Sequence, residues 1–200
     1  MSKKDEILGK KIQQELLHQG IETPMKENSN FEDQYKIDQI KHHYRIIMEL
    51  LGLDLKDDSL ADTPLRVAKM FVNELFYGLN YDNFPKCTTV ENKLGNYSSP
   101  VKINKIPVVS VCEHHFQSII GTCDIEYTPN NNILGLSKFN RVVDFFSRRP
   151  QIQERLTAQI GVALEYILGT DVKVNISATH NCVKCRGVQQ DGCITETSYN

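Results

Sequence analysis

Apolar residues recur at helical spacing along much of this chain and alternate at strand spacing in its second half. Ile37, Ile40, Tyr44, Ile47, Met48 and Leu51 fall on one face of a 3.6-residue period, and Gly52 supplies a stop. Thr63 followed by Pro64 predicts an N-cap and a first helical residue. Val67, Phe71, Val72, Leu75 and Leu79 continue that helix, with Gly78 near its end. Residues 5–19 predict a short polar helix, and 20–30 and 80–100 read as loop and connecting structure.

After Pro100 the pattern changes. Residues 101–111 and 118–127 are β-rich, and Pro129 with three consecutive Asn closes the second run. Ser137 predicts the cap of a helix whose face is Phe139, Val142, Val143 and Phe146. Pro150 ends that helix and starts another, carrying Ile152, Leu156, Ile160, Ala163, Leu164 and Ile167 and closed by Gly169. Val172, Val174, Ile176 and Ala178 then alternate with polar residues, and a weaker strand is predicted over about 186–195. The second half therefore reads β-β-α-α-β-β. The fold class is α+β: an N-terminal helical region over 1–85, a connecting segment over 86–100 and a mixed domain over 101–200.

Composition narrows the setting. The net charge of −2 offers no global basic field for nucleic acid or an anionic membrane, so an anionic substrate needs a local basic cluster. No apolar run approaches the ~20 residues of a membrane span, and the charged N-terminus lacks a signal-type apolar stretch. The expectation is a cytoplasmic protein that binds neither nucleic acid nor membrane. Its six cysteines are then reduced, and their clustering points to metal or catalysis rather than disulfides.

Two clusters carry that chemistry: Val-Cys-Glu-His-His at 111–115 and Thr-His-Asn-Cys-Val-Lys-Cys-Arg-Gly at 179–187. Thiolate and imidazole are the preferred zinc donors. Cys112 and His115 are spaced for one turn, and Cys182 offers a third donor. Three protein ligands leave the fourth tetrahedral position for water, the catalytic pattern. The alternative adds Cys185 and closes a four-ligand structural site. Against it, 66 residues (116–181) separate the half-sites, whereas zinc ribbons place them ~15–20 apart. His114 and His180 would also be idle in a closed site. Ser137, Lys138 and Arg141 at a helix start, with Arg186 and Arg66, are candidates for holding phosphate, although charged helix faces are usually just solvated. Glu154 has the same double reading, since an acidic residue in a first turn also suits the helix dipole.

Four ordered motifs resemble type I GTP cyclohydrolase: Val-Cys-Glu-His-His-Phe, Gly-Leu-Ser-Lys-Phe-Asn-Arg (135–141), Arg-Arg-Pro-Gln-Ile-Gln-Glu-Arg-Leu (148–156) and His-Asn-Cys-Val-Lys-Cys-Arg-Gly-Val (180–188). Gly-Ile-Glu-Thr-Pro (20–24) and Asp-Thr-Pro-Leu-Arg-Val-Ala-Lys-Met (62–70) extend the likeness over nearly the whole chain. The resemblance implies the tunnelling fold, whose unit is β-β-α-α-β-β. It implies conversion of GTP and water to 7,8-dihydroneopterin triphosphate and formate, the first step toward tetrahydrofolate and other pterins. It implies Zn2+ on Cys112, His115 and Cys182, with His114 and His180 catalytic. It implies that Glu154 reads guanine with Gln153 beside it, and that Ser137, Lys138, Arg141 and Arg186 hold the triphosphate. Arg66 would come from a neighbouring subunit of a homo-oligomer, a decamer of two stacked pentamers. Cys185 departs from the family, which more often has a small or apolar residue there, and is read as a spectator thiol. The family also usually runs somewhat further than Asn200, which reads as a shortened form.

Overall fold

The computed structural model describes residues 3–26, 31–93, 97 and 99–200. Parts of the predicted loops, 27–30, 94–96 and 98, lie outside the described residues. In chain order the elements are α1 (Glu6–His18), α2 (Asp33–Leu50), α3 (Thr63–Met70), β1 (Thr89–Glu91), β2 (Val101–Cys112), β3 (Ser118–Tyr127), β4 (Asn132–Leu134), α4 (Leu136–Ser147), β5 (Pro150–Gln151), α5 (Gln153–Leu168), β6 (Val172–His180), α6 (Asn181–Lys184) and β7 (Thr195–Tyr199). They form two compact units, one of residues 1–23 with 78–200 and one of 24–77, so the expected helical region 1–85 is shared between them.

The larger unit is built on a five-stranded sheet in the order β5-β2-β3-β6-β7. All neighbours are antiparallel except β5, which runs parallel to β2. Helices α4 and α5 pack on the sheet through β2 and β6, and the two predicted helix faces are fully buried at Phe139, Val142, Val143, Phe146, Leu156, Ile160, Ala163 and Leu164. Side chains this size each contribute roughly 1.5–3 kcal/mol when removed from water. Val172, Val174, Ile176 and Ala178 are all buried, as their alternation predicts. Counting α4 and α5, residues 101–199 follow the predicted β-β-α-α-β-β order, with β4, β5 and α6 as short additions.

Deeper in this unit, the guanidinium of Arg149 is wholly buried. It lies over the rings of Tyr81, Phe145 and Phe146 at 5.0, 5.0 and 4.9 Å. It pairs with Glu22 at 3.1 Å and donates to the Gly78 carbonyl, while the Tyr81 hydroxyl donates to Glu22. A buried charge needs such partners, because removing it from water unpaired is costly.

In the smaller unit, α2 packs on α3. Of the predicted α2 face only Ile37 and Met48 are buried. Gly52 sits past the helix end with φ of 80°, as its stop signal predicts.

Five local expectations are corrected. The cap of α3 is Asp62, one residue before Thr63, whose hydroxyl instead accepts from Arg66 at 2.8 Å. The α-helix also stops at Met70: Phe71–Leu75 widens into a π turn, and the Phe76 N–H bonds the Phe71 carbonyl, setting the two rings 5.4 Å apart. Gly135, not Ser137, caps α4. Pro150 does not start a helix, because Pro150 and Gln151 pair with Val111 and Cys112, and α5 begins at Gln153. The final strand is Thr195–Tyr199 rather than 186–195. Residues 186–189 turn instead, with the Gln189 N–H on the Arg186 carbonyl and a φ of 54° at Gln189 that no strand allows.

Candidate metal centre

Sheet register brings the two clusters together. Strand β2 ends at Cys112, whose N–H donates to the Gln117 carbonyl at 2.8 Å, while the Phe116 N–H donates back to the Cys112 carbonyl at 2.9 Å. That tight turn feeds β3, where Ile119 lies opposite His180 at the end of β6. The chain then turns into α6, pinned by the Asn181 amide donating to Ser118 Oγ at 2.6 Å. Cys182 thereby returns to the 112–117 turn.

The outcome is a Cys112–His115–Cys182 cluster whose ligand atoms all lie within 4.8 Å of one another. Tetrahedral zinc with bonds of about 2.0–2.3 Å needs donors roughly 3.5–4 Å apart, so the geometry and the donor chemistry fit. Cys112 is buried, Cys182 half-buried and His115 exposed, which leaves one side open. Cys185 is exposed and stands outside the cluster. Burial, and then the Cys112 thiol beside it, push the Cys182 thiol up from its ordinary value. A dication between the sulfurs would reverse that sign by favouring thiolates.

His114 also sits at the turn, its Nδ1 3.7 Å from Cys112 Sγ. His180 bonds Gln153 through Nε2 at 2.8 Å. Burial holds the His180 imidazole below its ordinary value, and the Glu154 carboxylate opposes that shift, so Glu154 faces the same space. Glu154 itself is exposed on the first turn of α5. Arg186 is exposed, and its charge acts on the Cys182 thiol.

Gln153 behaves differently from the expectation that it touches the base. It is 1% exposed, and its amide is already committed to Ile176, Thr195, Thr197 and His180. Ser137, Lys138 and Arg141 stand together on the first turns of α4, where the charges of Lys138 and Arg141 act on the Cys87 thiol. Burial outweighs them and pushes Cys87 up to about 11. Arg66 belongs to the smaller unit, where it donates to the Ser59 carbonyl and the Thr63 hydroxyl.

A further tie links the 112–117 turn to α5. Arg155 donates to Glu113 and, at 3.1 Å, to Gln151 Oε1. The Glu113 N–H also donates to the Gln151 carbonyl at 3.1 Å. The ligand-bearing turn is thereby tied to the start of α5. The available signal was the acid Glu113 between Cys112 and His115, with an Arg in the helix-start motif at 148–156.

With this geometry in view, the family model described as GTP cyclohydrolase I matches residues 40–200. The chain belongs to that family. Among its relatives, the GTP cyclohydrolase 1 of Tolumonas auensis is 53% identical over 90% of this chain and 82% of its own. That of Shewanella loihica is 50% identical over 94% of this chain and 88% of its own. A solved structure, the archaeosine synthase QueF-Like in the apo form, is 20% identical with a TM-score of 0.41 over 50% of this chain and 91% of that one, too remote to inform this chain. As a family member the chain is an enzyme of α+β tunnelling fold. Among the described residues, no helix is long and apolar enough to cross a membrane.

Proposed function

We propose that the chain is a zinc-dependent GTP cyclohydrolase I, converting GTP and water to 7,8-dihydroneopterin triphosphate and formate, the first step of tetrahydrofolate and pterin biosynthesis. The observation that carries this reading is the three-donor cluster with one open side, with His114 beside Cys112 and His180 at the end of the strand that leads to Cys182.

Cys112, His115 and Cys182 hold the metal, which when bound supplies Lewis-acid activation of water. Glu154 accepts from guanine N1–H and the 2-amino group, a donor pair adenine lacks, and this gives strong discrimination. His180 gives a proton to N7 as the imidazole ring opens at C8, and His114 assists opening of the ribose before the pterin ring closes. Imidazoles suit these transfers because their pKa lies near working pH. Lys138, Arg141 and Arg186 neutralise the triphosphate, and Ser137 adds a hydroxyl donor. On this reading the cleft is completed by a second copy, with Arg66 drawn from a neighbour. A decamer of two stacked pentamers in the cytoplasm follows from this reading, and the exposed Leu50 and Leu51 at the end of α2 support further assembly. Sedimentation measures its size.

Zinc-replete protein incubated with GTP should release formate and give a pterin fluorescent after oxidation. His180→Ala should stop formate release while retaining zinc, and Cys182→Ser should lose both. Cys185→Ser should keep full metal and activity. Absence of formate from the zinc-replete protein would sink the reading.

A further inference from the structure

The side-chain amide of Gln153 has an orientation that its surroundings dictate. Its nitrogen lies 3.1 Å from the Ile176 carbonyl, 2.9 Å from the Thr195 carbonyl and 3.1 Å from Thr197 Oγ1. Carbonyl oxygens only accept, so the donor end of the amide must face them. The acceptor end, Oε1, is then the atom 2.8 Å from His180 Nε2. An amide oxygen cannot donate, so Nε2 must carry the hydrogen of that bond. Nδ1 of His180 makes no hydrogen bond among the described residues, and it is the nitrogen left for a ligand.

We propose that Gln153 is the positioning residue of His180: it locks the ring in its Nε2–H form and makes Nδ1 the atom that exchanges a proton with substrate. The inference rests on His180 being the acid of the proposed reaction, and adds which atom acts and what holds it. In the acidic form both nitrogens carry hydrogen. The Nδ1–H proton passes to guanine N7, the Nε2–H bond to Gln153 is kept, and the ring is left neutral without rotating. The same Nδ1 lone pair can then take up a proton again. Because Gln153 is 1% exposed and anchored to both β6 and β7, its grip on the ring is rigid rather than solvent-averaged.

Two readouts test this. In zinc-replete protein labelled with 15N-histidine, the His180 signal, identified by its loss in His180→Ala, should report Nε2–H; an Nδ1–H ring in the unaltered protein would overturn the proposal. Gln153→Met keeps the volume and removes the amide. It should mix the tautomers and lower kcat by about 10²-fold, the scale of a misplaced reacting group, with KM for GTP near its original value. A raised KM with unchanged kcat would instead make Gln153 a substrate contact and overturn the assignment. Thr197→Val removes one partner of the amide nitrogen and leaves the His180 bond, so it should keep tautomer and kcat. An equal loss there would trace the effect to the anchoring of β7 and count against the proposal. The tautomer is read without turnover, so failure of the proposed reaction and failure of this assignment are separate results.

Discussion

Helix α5 buries Leu156, Ile160 and Leu164 completely, whereas α2, with an equally regular apolar period, leaves Ile47, Leu50 and Leu51 at 48, 82 and 73% exposure. The difference separates two things that periodicity merges. A 3.6-residue pattern records that a helix has an apolar face, but not which surface covers it. The α5 face is covered by the chain's own sheet and α4. That anchorage fixes its first turn, where Gln153 meets His180 and Arg155 meets Glu113 of the turn that carries Cys112 and His115. Among the described residues of its unit, α3 covers α2 at Ile37 and Met48 but leaves Ile47, Leu50 and Leu51 exposed, and an exposed apolar stripe of this kind marks an interaction surface.

The sharpest way to break the contrast is to truncate one side chain on each face. Leu164→Ala should cost about 2–5 kcal/mol in denaturant unfolding, the range for a cavity opened in a packed core. Leu50→Ala costing as much would erase the distinction. The helix ends should behave alike, because termination is local: Gly169 and Gly52 follow α5 and α2 with φ of 65° and 80°. Each glycine replaced by Ala should lose about 1 kcal/mol by forcing a left-handed conformation on a Cβ. Unequal losses would mean that one end is held by tertiary contacts. The smallest effect belongs to Leu50→Ser, within about 0.5 kcal/mol when measured where sedimentation shows a single chain. Its signature should lie in a lower sedimentation coefficient at higher concentration.

The faces of α4, α5 and β6 were legible because burial imposes a period that survives any local substitution. The Cys112–His115–Cys182 cluster was legible for another reason: Cys and His at close spacing point to a metal site. What escaped was decided by long-range partners. Pro150 looked like a helix start because its fixed φ suits one, yet strand pairing to Val111 claimed it. Gln153 looked like a ligand contact beside Glu154. Its amide is instead taken up by Ile176, Thr195, Thr197 and His180, partners 23 to 44 residues away that no local pattern reports. The Arg155–Glu113 pair joins residues 42 apart in sequence, a distance no local pattern reports.

The Arg149–Glu22 pair carries a consequence for the order in which this fold can form. Its partners are 127 residues apart. At a synthesis rate of about 5–20 residues per second, Glu22 leaves the ribosome roughly 6–25 s before Arg149 exists. Until then the segment after α1 has no cation to dock on, and the aromatic box of Tyr81, Phe145 and Phe146 is incomplete. Closing so long a loop is entropically expensive and belongs late in folding. The start of the chain can therefore be stitched into the core only once the chain through Arg149 has emerged.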